Sequence, residues 1–298
     1  MKWIDKLIAL YLYICEVYDN KLCLHCQRMS NNYSPEFTDQ ELLTVYLFGI
    51  IHRRFRIKDI HSYCQDHFLD CFPDLPSYQA FNYRLNRMGE VFPTLLEEIL
   101  LNGQQQGIDF DISLIDSMPI IMANNKRSST AKVACEFCNK GKCASKNMYY
   151  YGAKLHLMGF RRPGSIPYPE YIGLTPASDN DLTAFRTIAP LMKDRKIFAD
   201  KIYADTMLNQ LLEQEQNASV LTPIKKKKGQ EELEAWAKFF STAVSKVRQP
   251  IESFFNWIEE KTEIQKASKV RSFKGLNVHV FGRLAAACLL IAFPFFNS

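Results

Sequence analysis

The sequence lacks a long uninterrupted hydrophobic run. Its most apolar segment, residues 284–293, lies between Arg283 and Pro294 and has about half of the ~20 residues that a membrane-spanning helix needs. We interpret it as a core helix. The amino-terminal residues 1–6 are interrupted by charge, and no small-residue cleavage site follows them. We therefore expect a protein without a secretory signal that stays in the cytoplasm and makes no contact with a membrane.

A regular cysteine pattern is also absent, because the nine cysteines are odd in number and irregularly spaced. This excludes a secreted disulfide framework and predicts reduced thiols. Two groups have a spacing at which thiolates can reach one zinc ion, namely Cys23 with Cys26, and Cys135 with Cys138 and Cys143. The second group supplies three ligands without an obvious fourth nearby. A zinc-dependent regulator built on these three cysteines is one alternative for the function.

Acidic residues are fewer than basic ones, 32 against 37, which gives a formal net charge of +5. The excess lies in short basic clusters at residues 126–127, 132–146, 161–162 and 225–228. Each cluster alone could be a solvated loop, but several together favour a polyanionic substrate such as nucleic acid. The hydrophobic fraction of 47% excludes a disordered chain and predicts one sizeable domain plus an appendage.

Residues 1–106 carry helical periodicity and few strand signals. Thr38 and Glu41 have the spacing of a capping box, which predicts a helix start. A later helix presents Arg84 and Arg87 among polar side chains that can donate to phosphates and base edges. We therefore predict an all-helical, helix-turn-helix-like domain that binds DNA. A solvated amphipathic helix is the alternative.

From Gly107 the pattern changes to the period of a strand, and Asp116 is expected where the first strand leaves the core. Further strands are predicted at residues 149–158, 168–174, 196–199 and 219–222, and helices at residues 182–191, 207–215 and 233–264. The third of these strands is short and apolar, and it delivers Asp200 at its carboxyl end. This order of elements predicts an α/β fold, a mixed sheet flanked by helices.

Three acidic residues, Asp116, Asp200 and Glu252, stand in short apolar contexts. A carboxylate in such a place is costly to desolvate unless a cation lies beside it, so their convergence would indicate a divalent metal site. Pro250 marks either a kink or the first turn of a new helix, which puts Glu252 on an early turn. Oxygen ligands favour Mg²⁺ or Mn²⁺, and two ions about 3.5–4 Å apart suit in-line phosphoryl transfer.

Five motifs resemble those of bacterial insertion-sequence transposases of the DDE type. They are IDSMP (residues 115–119), YYGAKLHL (150–157), TPASDND (175–181), ADKIY (199–203) and RQPIESFF (248–255). The resemblance implies an RNase H-like catalytic fold with Asp116, Asp200 and Glu252 as the catalytic, metal-binding triad. It also implies a division into a helical DNA-binding and dimerisation domain at residues 1–106, a catalytic domain at 107–275, and a C-terminal apolar helix at 276–298 that packs on the core.

The resemblance further implies residues that contact DNA. Within the family's signature around the glutamate, Arg248 matches and is assigned to a DNA phosphate, whereas Ser245 and Glu259 replace the usual tyrosine and lysine. The other candidate DNA contacts are Lys154, His156, Tyr203, Lys225, Lys226, Lys227, Arg84 and Arg87. A buried, hydrogen-bonded histidine is the alternative for His156. Asp179 and Asp181 are interpreted as a loop residue and a helix cap and are left out of the metal site.

The implied function is that of a transposase that binds the terminal inverted repeats of its element as a dimer. It would cut the DNA strand with two Mg²⁺ or Mn²⁺ ions and join the freed 3′-hydroxyl to double-stranded target DNA. In a bacterium such a protein acts in the cytoplasm, on the nucleoid. Two alternatives stay open, an RNase H-like nuclease without strand transfer and a catalytically silent DNA-binding repressor.

Overall fold

The computed structural model of the chain describes residues 3–26, 35–103, 105–143, 146–226, 229–230 and 232–296. Contacts divide the chain into two compact units. The first comprises Met1–Gln104 and Ile258–Ser298, and the second comprises Gln105–Trp257. Residues 258–275, which we expected in the catalytic domain, therefore group with the amino-terminal helices.

The regular elements within the described residues are as follows. The helices are α1 (Trp3–Val17), α2 (Asp39–Ile51), α3 (Ile57–His67), α4 (Tyr78–Arg87), α5 (Val91–Asn102), α6 (Asp181–Ile188), α7 (Thr206–Gln216), α8 (Ala235–Thr262), α9 (Phe273–Asn277) and α10 (Arg283–Ala292). The strands are β1 (Asp109–Asn124), β2 (Asn139–Cys143), β3 (Met148–Arg161), β4 (Tyr168–Pro176), β5 (Lys196–Phe198) and β6 (Ser219–Leu221).

Helix α2 organises the first unit and begins where the capping box predicts. Thr38 Oγ1 accepts a hydrogen bond from the Glu41 backbone N–H at 3.2 Å, and the Glu41 carboxylate accepts one from the Thr38 N–H. The helix packs against α1, α3 and α10 and is buried over most of its length. Gly49 permits close contact with α3, because a Cβ there would lie 2.7 Å from the Ile60 side chain.

The carboxyl-terminal helices complete the core of the same unit. The segment Phe273–Ala292 is long and apolar enough to cross a membrane by length and composition, but 94% of its most apolar window is buried within the protein. Helix α10, which corresponds to the predicted core helix, is buried at every position. Its one charged residue, Arg283, donates hydrogen bonds to the carbonyl oxygens of Thr262 and Phe55. The buried charge is thus hydrogen-bonded inside the helical unit.

The second unit contains one mixed sheet with the strand order β2-β3-β1-β5-β6, and β4 also pairs with β3. Strands β1, β2 and β4 are antiparallel to β3, whereas β1, β5 and β6 are mutually parallel. Helices α6 and α7 pack on the sheet through a core that includes Ile115, Met158, Phe185, Ile188 and Leu212. This arrangement confirms the predicted α/β fold class, a mixed sheet flanked by helices with a helical amino-terminal region.

Strands β3 to β6 begin within one residue of their predicted starts, but β2 was not predicted. Its sequence, NKGKC, has no alternation of apolar residues. It forms a strand because it pairs with Met148 to Gly152 of β3. Gly141 is needed there, because a Cβ at this position would lie 2.1 Å from the Ala177 carbonyl oxygen. Such a strand depends on distant partners and leaves little trace in its own sequence.

Candidate active site

Asp116 and Asp200 come together because β1 and β5 are parallel neighbours. Leu114 pairs with Phe198, so the same register two residues further along sets Asp116 opposite Asp200. Asp200 comes two residues after the end of β5 and precedes the short 3₁₀ turn of Lys201–Tyr203. One carboxylate from β1 and one from the segment after β5 thus lie near the carboxyl end of β5.

The prediction that Asp116 ends its strand is wrong, because β1 continues to Asn124. Asp116 lies opposite Leu157 of the antiparallel partner β3. The pairing of β1 with β5, by contrast, is observed only up to Leu114. Asp116 therefore lies beyond the end of its parallel neighbour although it is inside its own strand. Pro119 lies in the part of β1 that has no paired strand on the β5 side. A proline is tolerated at such an edge, because no backbone donor is needed there.

Glu252 lies in the middle of α8, so the predicted early turn is also wrong. The helix passes through Pro250 without ending. The proline removes one backbone donor, and the long apolar stripe of the helix compensates by packing. Ile251 and Phe254 are completely buried, and their packing sets the rotation of α8 about its axis. Glu252 is consequently left at the surface, with its side chain 52% exposed.

Arg248 connects two of the three acids. Its Nη1 donates to Asp116 Oδ2 at 2.7 Å, and its Nη2 donates to Glu252 Oε1 one helical turn away. The Arg248 side chain is 14% exposed and that of Asp116 is 24% exposed, so this pair is largely shielded from water. Because an arginine fork can bind two carboxylates in fixed geometry, Arg248 joins β1 to α8.

Burial raises the pKa of Asp116 from its usual 3.8 to about 6. The Arg248 guanidinium and the Ser117 backbone N–H oppose this rise, whereas the nearby Asp200 charge adds to it. A carboxyl group that a strand holds in a desolvated place near a second carboxylate is a common feature of functional sites. The pKa of Asp116 therefore supports a site at the junction of β1, β5 and α8.

A polar network lies beside Asp116 and centres on Asp181, the first residue of α6. Asp181 Oδ1 accepts a hydrogen bond from Ser117 Oγ at 3.1 Å and forms an ion pair of 2.9 Å with Lys154 Nζ. Lys154 Nζ also donates to the carbonyl oxygen of Asp179 at 2.7 Å. The Ser117 backbone N–H donates to Asp116 Oδ1 at 2.8 Å. Ser117 thus lies between the two aspartates.

His156 belongs to the same network and is buried. Its Nε2 lies 2.8 Å from Thr175 Oγ1, and its Nδ1 is 3.8 Å from Asp181. Burial lowers the pKa of His156 to about 4, and the Lys154 charge lowers it further, against the opposing effect of Asp181. The ring is therefore neutral at pH 7, which agrees with the alternative of a buried, hydrogen-bonded histidine.

Tyr203 is buried next to the acids, and its hydroxyl has no hydrogen-bond partner in the described part of the chain. Burial raises the pKa of Tyr203 well above its usual value, and the charges of Asp181, Asp116 and Asp200 raise it further. The phenol hydroxyl is therefore a buried, neutral donor in the part of the unit that contains Asp200.

Comparison with known proteins now identifies the family. The transposase DDE domain matches residues 102–272, which is more than half of the chain and includes all three acids. The chain belongs to the transposase DDE domain family. No curated protein and no solved structure gives a significant match. The mixed sheet flanked by helices in the second unit agrees with the RNase H-like fold of a DDE domain.

DDE transposase domains generally depend on a divalent metal ion. The three acids have the right chemical groups to bind one, because carboxylate oxygens are the donors that Mg²⁺ and Mn²⁺ prefer. Among the residues that the structure describes, however, no three His, Cys, Asp or Glu side chains are grouped so that they could hold one ion. Arg248 lies between two of the acids and binds one oxygen each of Asp116 and Glu252. Release of Arg248 would free these oxygens for an ion.

The predicted DNA contacts of the DDE domain differ in their exposure. Lys225 and Lys226, which follow β6, are exposed, and Lys227 lies outside the described residues. His156 and Tyr203 are buried. Lys154, with its side chain 15% exposed, has its ammonium group in the ion pair with Asp181. The exposed lysines are therefore the ones in this set that a DNA backbone can reach directly.

The two arginines predicted to read DNA lie on α4 of the helical unit. Arg84 donates to the Phe37 carbonyl oxygen at 2.6 Å and pairs with Asp39 at 2.8 Å, so its charge is used in holding α4 to the start of α2. Arg87 is exposed, and its guanidinium lies 5.8 Å from the ring centre of Tyr83. Of the two, Arg87 is the one that is accessible to a ligand.

The cysteines predicted as candidate zinc ligands form no disulfide bond within the described residues. Cys135 is exposed, Cys138 and Cys143 are buried, and Cys23 and Cys26 are partly buried. Burial raises the pKa of Cys138 to about 12, with a further contribution from the Glu136 charge. Among the described residues, these cysteines belong to no group of three ligand side chains that could hold one ion. The described residues therefore lend no support to the zinc-dependent alternative.

Sequence reasoning missed the role of Asp181 in the site. We interpreted it as the cap of α6, but the cap is Asn180, whose side chain accepts from the Leu182 N–H at 2.8 Å. The Asp181 carboxylate is therefore available to Ser117 and Lys154. The only sequence signal was the neighbouring asparagine, because an N-cap needs a single acceptor side chain and Asn180 supplies it.

Proposed function

We propose that this DDE-domain protein is an insertion-sequence transposase that binds the terminal inverted repeats of its element, cleaves the DNA and joins the freed 3′-hydroxyl to target DNA. One observation carries the proposal. The register of β1 with β5, extended two residues beyond its last observed pair, sets Asp116 level with Asp200, and Arg248 connects Asp116 to Glu252. We take these three acids as one site, because metal-dependent phosphoryl transfer needs carboxylates that can share two ions.

In this proposal Asp116, Asp200 and Glu252 hold two ions of Mg²⁺ or Mn²⁺. Such ions, when bound, supply Lewis acidity at the attacking and leaving oxygens of the phosphodiester. The chain orients the acids. Asp116 is fixed by the Ser117 N–H on Oδ1, and Glu252 is carried by a helix that the burial of Phe254 anchors. Asp200 is held at the end of β5 by the turn that follows it.

Arg248 has two roles in the proposed reaction. In the structure it neutralises part of the negative charge of Asp116 and Glu252. A guanidinium binds phosphate in the same forked geometry as carboxylate, so Arg248 can transfer from the acids to a DNA phosphate. Because its side chain is largely buried, only a phosphate that enters the site itself can reach it. Arg248 would thereby orient the scissile strand.

The proposed partners are double-stranded DNA, both as inverted-repeat ends and as target, and a second copy of the chain that holds the other end. The exposed Lys225 and Lys226 supply contacts to the DNA backbone, which strengthen binding without reading sequence. The helical unit would recognise the ends. We propose that the protein works in the bacterial cytoplasm, on the nucleoid.

The proposal is tested by incubating the purified full-length chain with labelled duplexes that carry the ends of its element, together with a supercoiled target plasmid. Parallel reactions contain Mg²⁺, Mn²⁺ or a chelator. We expect metal-dependent nicks at the ends and labelled strands joined to the plasmid. Binding to the ends is measured separately in Ca²⁺ by fluorescence anisotropy.

The two alternatives give different products in this assay. Metal-dependent hydrolysis without joined strands would support an RNase H-like nuclease and would contradict strand transfer. Specific binding of the ends without any cleavage, in both metals, would support a catalytically silent repressor. A non-cognate duplex of the same length and composition serves as the control for sequence recognition.

A further inference from the structure

Asp181 is less exposed and makes more side-chain contacts than a residue at the start of a helix such as α6 needs. An acidic residue in the first turn of a helix normally stabilises the helix dipole from an exposed position. Asp181 is instead 13% exposed, and its Oδ1 is the shared acceptor for Ser117 of β1 and Lys154 of β3. Because Asn180 already caps the helix, capping does not explain these contacts.

The Ser117 contact of Asp181 leads back to Asp116. Ser117 donates its hydroxyl to Asp181 and its backbone N–H to Asp116, so one residue binds both carboxylates. With Oδ1 of Asp116 bound to this N–H, its Oδ2 is left for Arg248. The orientation of the Asp116 carboxylate thus depends on the Ser117 N–H, and the Ser117 side chain is in turn restrained by Asp181.

Two further observations connect Asp181 to the site. The buried Tyr203 hydroxyl, which has no partner among the described residues, lies within the electrostatic influence of Asp181, Asp116 and Asp200. Lys154 is a mostly buried cation whose only anionic partner in the described network is Asp181. Asp181 therefore balances a mostly buried positive charge that would otherwise lie uncompensated.

We propose that Asp181 is a positioning residue of the active site, which restrains Ser117, the residue whose N–H binds the Asp116 carboxylate, and which neutralises the Lys154 ammonium by pairing with it. Asp181 itself binds neither metal nor DNA in this proposal. The inference rests on the proposed function for its catalytic meaning, but the geometry that it assigns can be tested without any DNA reaction.

Two variants separate the contacts of Asp181. Asp181→Asn keeps the size of the side chain and an acceptor for Ser117 but removes the charge that balances Lys154. Ser117→Ala keeps the ion pair and removes only the hydroxyl contact. Asp179→Asn is the matched control, because Asp179 contacts Lys154 through its backbone carbonyl and not through its side chain.

The first readout is the affinity for Mn²⁺ alone, measured on the full-length protein by electron paramagnetic resonance. Loss of a group that orients a metal ligand typically weakens binding about 10–100-fold. We expect a weakening of about tenfold or more in Asp181→Asn, a smaller one in Ser117→Ala, and none in Asp179→Asn. Mn²⁺ affinities of Asp181→Asn and wild type within about twofold would overturn the proposal.

The second readout is the single-turnover rate of end cleavage compared with the dissociation constant for the same DNA. Asp181→Asn should lower the rate about 10–100-fold and leave the DNA dissociation constant within about threefold, because the Asp181 side chain is only 13% exposed. A purely structural role would lower both along with the melting temperature. If the wild type fails to cleave, the proposed function fails, whereas the Mn²⁺ comparison still decides the role of Asp181. If Asp181→Asn does not fold, Ser117→Ala provides both measurements.

Discussion

Replacing Arg248 by glutamine should destabilise the second unit by about 2 kcal/mol. Arg248 is 14% exposed and Asp116 24% exposed, and their hydrogen bond is 2.7 Å long. A shielded hydrogen bond to a charged group contributes about 1.5–3 kcal/mol. The pair with Glu252, which is 52% exposed, adds about 0.3–0.5 kcal/mol because solvent screens it. The gross loss is therefore about 2–3.5 kcal/mol.

One gain offsets part of this loss. The Nε of Arg248 is buried and has no hydrogen-bond partner in the described structure, and an unsatisfied donor costs about 1–3 kcal/mol. Removing it returns about 1 kcal/mol, which leaves a net loss of about 2 kcal/mol. For a unit of about 150 residues, each kcal/mol corresponds to about 2–4 °C. Arg248→Gln should therefore melt roughly 4–8 °C below the wild type.

The assay is thermal unfolding followed by circular dichroism in chelator, with Arg186→Gln as the matched control. Arg186 also pairs with an aspartate, Asp205, through two nitrogens, but it is 54% exposed. Its loss should cost less than about 1 kcal/mol. An Arg248→Gln variant that melts with the wild type, or a control that loses as much, would show that Arg248 does not tie β1 to α8.

The remaining predictions concern the packing of α8, the acid sensitivity of the helical unit and DNA binding. Phe254→Ala should lower the free energy of unfolding in urea by about 3–5 kcal/mol, because Phe254 is completely buried. The control is Phe239→Ala on the same helix, which should change it by less than about 0.5 kcal/mol because Phe239 is exposed. Equal effects of the two substitutions would refute the packing of α8. Burial and the Arg283 charge lower the pKa of His279 to about 3. Between pH 6.5 and 3 the unfolded state therefore binds a proton that the folded state does not. The free energy of unfolding should fall by up to about 1.4 kcal/mol per pH unit as the pH decreases through this range. His279→Gln should remove this part of the acid dependence, and an unchanged stability-versus-pH curve would contradict it. The Lys225→Ala, Lys226→Ala double variant should reduce the slope of log affinity against log salt by about 1 for each DNA phosphate that a lysine no longer neutralises, and an unaltered slope would exclude these lysines from the interface.

Several parts of the fold could be predicted because their signals are local. The capping box at Thr38 and Glu41 gives the start of α2, since both partners lie within one turn. The starts of β3 to β6 follow from apolar runs and turn residues. Asp200 could be placed at the end of β5 for the same reason. These signals do not depend on any distant part of the chain.

The errors share a different cause, which is dependence on distant contacts. The end of β1 is set by pairing with β3 as far as Asn124, and nothing near Asp116 records this. Pro250 is tolerated because the buried residues around it hold α8 together. The role of Asp181 results from two strands that approach it in space, Ser117 on one and Lys154 on the other. Sequence patterns carry no direct record of such contacts.

The central claim is that Asp116, Asp200 and Glu252 act as one catalytic group on DNA. Its most direct test is the single-turnover rate of end cleavage and joining in Mg²⁺ for Asp116→Asn, Asp200→Asn and Glu252→Gln, with Glu213→Gln of the exposed face of α7 as the control. We predict that each of the three variants loses on the order of 10³-fold or more in rate while it binds the DNA ends nearly as well as the wild type. Cleavage at the wild-type rate by any one of the three would contradict the account.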